Sequence, residues 1–281
     1  MCEECGCGLP GPTRIDGKPA EEVASPLVNK GVQDSGHPYE GPEHDHDHEH
    51  HHHDHTHDHS HTRTIEVHRS VFEANDRLAE RNRGFFSALG LLVLNILSSP
   101  GSGKTTLLQK TIEKLGRPES IGVIVGDLET DNDARRLRTT GAKVVQITTG
   151  TLCHLDADMV ARALGNLNAR TLDLLFIENV GNLVCPSSFD LGESLRVALL
   201  SVTEGEDKPL KYPPLFYAAD VVVLTKTDMS EAAEFDREAA LSNIRAINPN
   251  ARIFELSARK DTGMDAWCDY LRQARSEAAS R

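Results

Sequence analysis

The chain has 281 residues, of which 38% are hydrophobic and 26% charged, and its formal net charge is -13 at pH 7. This acidic balance argues against nucleic acid as a partner, because a protein needs a basic surface to neutralise phosphates. No signal-type leader opens the chain and no apolar run reaches the ~18 residues that cross a bilayer, so we expect a cytoplasmic protein with no membrane insertion.

The first seven residues contain three of the six cysteines, Cys2, Cys5 and Cys7. Thiols stay reduced in the cytoplasm, and Gly6 allows a tight turn that directs the three sulfurs toward one centre. Three thiolates can surround one soft or borderline metal ion. Residues 1–7 therefore predict a metal-binding motif, with a disulfide or idle thiols as the alternative.

Two segments of low complexity follow. Residues 8–43 contain six prolines and little periodicity, which predicts a flexible linker. Residues 44–61 mix histidines with acids and predict a disordered tract that buffers several metal ions. An expression tag is the alternative without a biological function. Imidazole does not distinguish Ni²⁺ from Zn²⁺. The eleven histidines of this tract are His44, His46, His48, His50, His51, His52, His53, His55, His57, His59 and His61.

Residues 65–281 predict one globular domain. A helix opens it, with apolar positions at helical spacing: Val67, Val71, Phe72, Leu78, Phe85 and Leu89. Strands are predicted at 91–97, 121–125, 143–147, 172–177, 195–202, 221–224 and 252–255. Helices are predicted at 105–115, 133–139, 156–168, 231–247 and from 264 onward. Alternating strands and helices require crossover connections, so the predicted fold class is α/β, with a mostly parallel sheet flanked by helices.

The loop between the first predicted strand and its helix, SSPGSGKTT, has the context of a phosphate-binding loop. Its glycines let backbone N–H groups turn toward phosphate oxygens at the positive end of a helix. Lys104 would reach the terminal phosphates, and the Thr105 hydroxyl would hold Mg²⁺. The first glycine of the usual pattern is replaced by Ser98. The predicted phosphate contacts are Gly101, Ser102, Gly103, Lys104, Thr105 and Thr106.

Two acids end neighbouring apolar strands, Asp127 after IGVIVG and Glu178 after LDLLFI. Either carboxylate could reach Mg²⁺ directly or through water. Residues 178–181, Glu-Asn-Val-Gly, also have the spacing of a GTPase switch segment. Gly181 could then donate its N–H to the γ-phosphate, which would make this switch segment sensitive to hydrolysis.

Base selection is predicted by Thr-Lys-Thr-Asp at residues 225–228, which resembles the guanine-selecting NKxD motif. The Asp228 carboxylate can accept hydrogen bonds from both guanine donors, whereas adenine offers no such pair. The stem of Lys226 would lie along the base. Ser257 and Ala258 follow a later strand and match the loop whose backbone N–H meets the guanine carbonyl. We therefore expect GTP and GDP to be the nucleotides.

Two further cysteines lie near the predicted switch segment. Cys153 and His154 follow a strand and a loop, and Cys185 lies four residues after Gly181. If these segments meet, two thiolates and an imidazole would form a metal site that moves with the γ-phosphate sensor. Packing in the core is the commoner fate of each cysteine alone, and we expect it for Cys268.

Taken together, these segments resemble HypB, the family of nickel-incorporation GTPases of hydrogenase maturation, within the SIMIBI class of P-loop GTPases. The resemblance rests on the N-terminal CEECGC, the histidine tract, and the segments NDRLAERNR, NILSSPGSGKTTLL, TLCHLDADM and ENVGNLVCP. It covers residues 1–7 and about 65–275. The pairing of TLCHLDADM with ENVGNLVCP is typical of that family, whereas the phosphate-binding loop is widespread.

The resemblance implies roles that the residues alone do not give. The thiols of residues 1–7 would be a tight nickel site, and Cys153, His154 and Cys185 a weaker nickel or zinc site at a GTP-dependent homodimer interface. The implied partners are a small zinc-containing nickel chaperone and the large subunit of [NiFe]-hydrogenase. GTP hydrolysis would be slow, since no glutamine follows the switch segment.

Three alternatives remain open at this point. Other metal-delivery GTPases, for urease nickel, zinc or cobalt, would share the nucleotide site. A nickel storage protein would use the histidine tract as its main function. A P-loop kinase is a weaker alternative, because Asp228 predicts guanine selection.

Overall fold

A computed structural model describes residues 13–27 and 60–280. The thiol motif at residues 1–7 and the histidine tract up to residue 59 lie outside these ranges, so the metal-binding predictions for them stay predictions. In the described part of the chain, no helix is both long enough and apolar enough to span a membrane.

Strands alternate with helices from residue 92 onward, except that only a 3-10 turn separates the strand ending at Glu178 from the strand beginning at Leu195. The strands are β1 (Arg14–Ile15), β2 (Lys18–Pro19), β3 (Leu92–Leu97), β4 (Ile121–Asp127), β5 (Lys143–Thr148), β6 (Leu174–Glu178), β7 (Leu195–Ser201), β8 (Val221–Thr225) and β9 (Arg252–Glu255). The helices are α1 (Ser60–Ala88), α2 (Lys104–Leu115), α3 (Asn132–Arg138), α4 (Ala157–Leu167), α5 (Lys208–Lys211), α6 (Pro213–Tyr217), α7 (Arg237–Ile247) and α8 (Met264–Ala279).

The strands form one sheet in the order β2-β1-β5-β4-β6-β3-β7-β8-β9. All pairings from β5 to β9 are parallel, and β1 and β2 add an antiparallel edge. The predicted α/β class with a mostly parallel sheet is confirmed. Strand β3 lies at the centre, between β6 and β7, so its carboxyl end opens at the topological switch point where such sheets bind ligands.

Both faces of the sheet are covered by helices. Leu94, Ile96 and Val123 belong to a core cluster that also includes residues of α2, α3 and α8. Val93 and Ile124, which point to the opposite face, belong to a second cluster with α4 and Phe86 of α1. This alternation explains the continuous apolar runs of the central strands, because a strand buried on both faces has no polar side.

Residues 13–27 form a hairpin and a short 3-10 turn that lie against the β5 edge, inside the segment predicted to be a flexible linker. Ile15 is fully buried there, and Ser25 Oγ donates to the Ala161 carbonyl at 3.2 Å. The turn residues Asp16 and Gly17 have φ of 47° and 81°, as a two-residue hairpin turn requires. The linker prediction missed this Asp-Gly turn signal.

Helix α1 is longer than predicted, and its buried face differs from the predicted apolar positions. Val71 is 50% exposed, whereas Asn75, Ala79, Asn82 and Phe86 are buried. The side-chain amides of Asn75 and Asn82 hydrogen-bond backbone groups near residues 157 and 190, and buried polar groups generally need such partners. The residues of α1 that are buried are therefore selected by the hydrogen bonds that they make to the backbone as well as by their hydrophobicity.

Helix α7 begins at residue 237, six residues later than predicted. Glu234 has a positive φ of 50°, which interrupts any helix from residue 231. The Asp236 carboxylate then accepts from Ala239 N at 2.9 Å and caps the helix. The short helices α5 and α6 lie in a stretch that the sequence pattern left without elements.

Candidate functional site

A cavity of about 420 Å³ opens at the carboxyl ends of β3, β4 and β6. Gly101 and Gly103 shape its floor with φ of 76° and 99°, values that other residues rarely adopt. Helix α2 begins at the next residue, so its N-terminal amides face an incoming anion. Predicted site residues that line this cavity are Gly101, Gly103, Lys104, Thr105, Thr106, Asp127, Glu178 and Gly181.

The side chain of Lys104 is nearly buried, and its Nζ donates to Ser98 Oγ at 2.9 Å. Ser98 Oγ in turn donates to the Ser99 carbonyl at 2.7 Å. Burial is the main cause that lowers the pKa of Lys104, and the nearby Glu178 opposes it. Ser98, which replaces the usual first glycine, thus holds the ammonium at the cavity. Its role was not predicted.

The Glu178 carboxyl is fully buried beside the phosphate-binding loop. Its Oε1 accepts from Thr105 Oγ1 at 2.8 Å, and its Oε2 has no hydrogen-bond partner among the described residues. Burial raises the pKa of Glu178 to about 7, while Lys104 and the bond from Thr105 act in the opposite direction. A buried carboxylate with an orphaned oxygen is the kind of group that a hard cation would satisfy.

Asp127 lies across the same cavity, and one of its oxygens is engaged locally. Oδ1 accepts from Glu129 N at 3.0 Å and from Thr130 N at 2.7 Å, which leaves Oδ2 for a ligand. Gly181 lies against the loop at Pro100: an added Cβ would meet the Pro100 Cα at 3.0 Å. The switch segment therefore touches the phosphate-binding loop directly.

A second cavity, of about 380 Å³, is lined by the predicted base-reading loops that follow β8 and β9. Asp228 Oδ1 accepts from Ser257 Oγ at 2.5 Å, which joins the two loops. Lys226 extends over the phosphate-binding loop, since its Cε lies 3.9 Å from the position of a Cβ on Gly103. Predicted site residues here are Ser102, Gly103, Thr106, Lys226, Asp228, Ser257 and Ala258.

The two cavities are adjacent, because Gly103 and Thr106 line both. Thr225, which stands where the usual motif has Asn, donates from Oγ1 to the Ser102 carbonyl at 2.7 Å. The predicted phosphate-binding residues and the predicted base-reading residues therefore line neighbouring cavities.

Several residues of this region were missed from the sequence. Glu204 Oε1 accepts from Ser102 Oγ at 3.1 Å, and Glu204 Oε2 accepts from Ser201 N at 3.2 Å. The Ser-x-x-Glu capping pattern of residues 201–204 could have located this contact. Asp133 and Arg136 of α3 also line the phosphate cavity. Their positions depend on how α3 packs, for which the sequence gives no signal.

The predicted second metal site is only partly assembled. Cys153 Sγ lies 4.0 Å from His154 Nδ1, and the His154 ring stacks on Phe189 with centroids 3.8 Å apart. Burial lowers the pKa of His154 to about 4, so the imidazole is neutral at pH 7. Cys185 is half-buried at the start of a 3-10 turn after the switch segment.

Over the ranges 13–27 and 60–280, no three His, Cys, Asp or Glu side chains are grouped so that they could hold one metal ion. Within a single chain, Cys153, His154 and Cys185 therefore do not form a three-ligand site in this conformation. A shared site needs either a second copy of the chain or a movement of the loops.

Comparison with known proteins finds a matching family model and close relatives in sequence. The family model described as "CobW/HypB/UreG, nucleotide-binding domain" matches residues 92–255. A curated relative, hydrogenase maturation factor HypB of Azotobacter chroococcum mcd 1, is 45% identical and covers 98% of this chain and 93% of its own. HypB of Escherichia coli strain K12 is 52% identical over 76% of this chain and 73% of its own.

Among solved structures, HypB from Helicobacter pylori in complex with nickel superposes with a TM-score of 0.69. It is 41% identical and covers 73% of this chain and 96% of its own.

Proposed function

Because the chain belongs to the HypB family of CobW/HypB/UreG nucleotide-binding proteins, we propose that it is a GTP-hydrolysing nickel metallochaperone of [NiFe]-hydrogenase maturation. It would store Ni²⁺ and deliver it to the hydrogenase large subunit in the cytoplasm. The observation that carries the proposal is the pair of adjacent cavities, one lined by the phosphate-binding loop and the buried Glu178 and the other by Asp228.

The residues of the phosphate cavity have separable roles in the proposed reaction. Backbone N–H groups of residues 101–106 would bind the phosphates at the start of α2. Lys104, released from Ser98, would neutralise the terminal phosphates. Gly181 would approach the γ-phosphate from its contact with Pro100, which makes the position of the switch segment depend on whether that phosphate is present.

Mg²⁺ fits the acidic side of the cavity. Thr105 and Glu178 would hold it, with Asp127 close enough to act through water, and the ion would satisfy the orphaned Glu178 Oε2. When bound, it supplies charge neutralisation for the phosphates. No described side chain is identified as the one that orients the attacking water, which favours slow intrinsic turnover.

Nickel is the proposed cargo of Cys153, His154 and Cys185, with Zn²⁺ as a competitor. The neutral imidazole and two thiols suit either ion. Since one chain does not bring the three together, we propose that a GTP-dependent homodimer completes the site. Cys2, Cys5 and Cys7 would form a tighter site. A small zinc-containing nickel chaperone and the hydrogenase large subunit would be the partners in transfer.

The test is calorimetric titration of the full chain with Ni²⁺ in the presence of Mg²⁺ and either GDP or a non-hydrolysable GTP analogue. We expect the stoichiometry or affinity of one class of sites to depend on the nucleotide. Cys185→Ala should remove that dependence, whereas Cys268→Ala should leave it unchanged, because Cys268 is buried in the core. A dependence that survives in Cys185→Ala would contradict the proposed coupling.

The storage alternative is tested by deletion of residues 44–61. Loss of bulk nickel binding, with hydrogenase maturation intact at ample nickel, would assign the tract to storage. Failure of maturation under those conditions would assign it to delivery.

A further inference from the structure

A continuous chain of buried polar side chains crosses the centre of the sheet beneath the switch segment. Its members are Asn179 (1% exposed), Asn95 (0%) and Glu193 (5%). Asn95 lies in the middle of β3, where every neighbouring residue of the strand is apolar and buried. A buried amide in such a strand is costly unless its hydrogen bonds are made, so these contacts restrain the structure strongly.

Asn179 is the junction of this chain. Its Oδ1 accepts from Leu155 N at 3.2 Å and from Val180 N at 2.9 Å. Its Nδ2 donates to Asn95 Oδ1 at 3.2 Å. Leu155 directly follows His154 in the chain, and Asn179 directly follows Glu178. One side chain therefore joins the switch segment to the loop that contains Cys153.

The other arm of the chain runs toward Cys185. Asn95 Nδ2 donates to Glu193 Oε1 at 3.1 Å, and the same oxygen accepts from Arg196 Nε at 2.7 Å. Arg196 then donates to the Ser187 carbonyl at 3.2 Å, two residues after Cys185. It also donates to the Phe189 carbonyl at 3.3 Å, and the Phe189 ring stacks on His154.

We propose that Asn179 is a positioning residue that transmits movement of the switch segment to both cysteine-bearing loops, through Leu155 on one side and through Asn95, Glu193 and Arg196 on the other. The inference rests on the proposed function, since it assumes that the switch segment responds to the γ-phosphate. If Asn179 moves, its partners must follow or leave buried polar groups unpaired, and that penalty is what links the loops.

The test is residue-resolved alkylation of the full chain by N-ethylmaleimide, with Mg²⁺ and either GDP or a non-hydrolysable GTP analogue. The rates at Cys153 and Cys185 report the two loops without any metal. Cys268 is an internal control, because it is fully buried and burial raises its pKa to about 11. In the wild type we expect the Cys185 rate to differ about fivefold or more between nucleotides, as typical couplings between sites do.

Asn95→Ala cuts the second arm without changing a residue that lines either nucleotide cavity. The nucleotide ratio of a cysteine is its alkylation rate with GDP divided by its rate with the GTP analogue. We expect Asn95→Ala to bring this ratio toward 1 at Cys185, while the ratio at Cys153 persists through the Asn179–Leu155 bond. Asn248→Ala is the control: the side-chain amide of Asn248 bonds the Phe216, Tyr217 and Ala219 carbonyls, and it has no hydrogen bond to either arm among the described residues. It should keep both ratios.

Arg196→Lys is the second variant, should Asn95→Ala not fold. Lysine keeps the charge opposite Glu193 but cannot also bond both carbonyls, so the Cys185 ratio should again fall. The inference is overturned if the wild type shows no nucleotide dependence, if the folded arm variants keep the wild-type ratio at Cys185, or if Asn248→Ala loses that ratio equally. A parallel arm with NiCl₂ separates the proposed function: absence of nickel protection at Cys153 and Cys185 would remove their role as ligands and leave the relay standing.

Discussion

The hydroxyl of Thr105 donates to Glu178 Oε1 at 2.8 Å, which fixes a fully buried carboxyl against the first turn of α2. The second oxygen of that carboxyl has no partner in the described part of the chain. Holding this group there costs folding free energy, as its raised pKa of about 7 indicates. A group that is unfavourable for folding and lies at a phosphate cavity is more readily explained by function than by stability.

Glu178→Gln should therefore increase stability while it lowers activity. The amide keeps an acceptor for Thr105 but cannot ionise, so without nucleotide the variant should unfold at a higher temperature than the wild type. The folded chain raises the pKa of Glu178 from 4.5 to about 7, so as pH rises between these values the unfolded wild type loses a proton that the folded wild type keeps, and the wild type loses stability that the variant does not. The difference in stability should therefore be larger at pH 8 than at pH 6. GTP hydrolysis should fall at least about 10- to 100-fold. Thermal unfolding and phosphate release measure the two effects.

Glu129→Gln is the matched control, because Glu129 is an exposed acid beside the same cavity. Glu129→Gln should change neither the unfolding temperature nor the rate of GTP hydrolysis appreciably. Equal loss of hydrolysis in both variants would contradict a specific role for Glu178.

Asp228→Asn should reverse the base preference. The variant keeps one acceptor for guanine and loses the charge, so GTP binding should weaken about 10- to 100-fold. Xanthine has a carbonyl where guanine has its exocyclic amine, and the new amide N–H can donate to it, so XTP should bind more tightly than to the wild type. Competition binding with GTP, XTP and ATP gives the result. Ser257→Ala removes the 2.5 Å bond to Asp228, together with the bond that Ser257 Oγ accepts from Lys260 N at 3.1 Å, and should weaken GTP binding without favouring XTP.

The nucleotide site was predictable because its signals are local. The loop after β3 and the loop at residues 225–228 each follow an apolar strand, and parallel strands bring their carboxyl ends to one edge. The partners of Ser98 and Asn179 were not predictable, because the bond from Lys104 to Ser98 depends on the conformation of the loop and the bond from Asn179 to Asn95 joins residues 84 positions apart. The same limit applies to the buried face of α1, where amides satisfy distant carbonyl groups.

The hairpin of residues 13–27 should be released by Ile15→Ser. Ile15 is fully buried against the sheet edge, and a hydroxyl there loses apolar contact and gains an unpaired donor. Gln146 N donates to Asp16 Oδ1 at 3.0 Å, so its amide should exchange with solvent faster by a factor of about 10 to 100 once the hairpin undocks. Hydrogen exchange measures this, and GTP hydrolysis should be unaffected.

Lys18→Ser in the exposed strand of the same hairpin is the control and should leave the Gln146 amide protected. Unchanged protection in Ile15→Ser would mean that the edge strand does not depend on that side chain.

The His154 imidazole should make stability depend on pH in one direction. Burial lowers its pKa from 6.5 to about 4, so between these values the unfolded chain binds a proton that the folded chain excludes. The contribution is complete above pH 6.5 and is lost as pH falls toward 4, by about 1–2 kcal/mol after allowing for the partial exposure of the ring. His154→Phe keeps the stack on Phe189 and cannot titrate, so its unfolding free energy should fall less between pH 7 and pH 5.

Urea unfolding with a chelator present measures the difference between the wild type and His154→Phe, and the remaining histidines cancel because both proteins contain them. Equal pH dependence in the two proteins would show that the ring is already accessible to protons. If the difference is found, the imidazole is neutral at pH 7, and protons do not compete with a metal ion for its nitrogen at that pH.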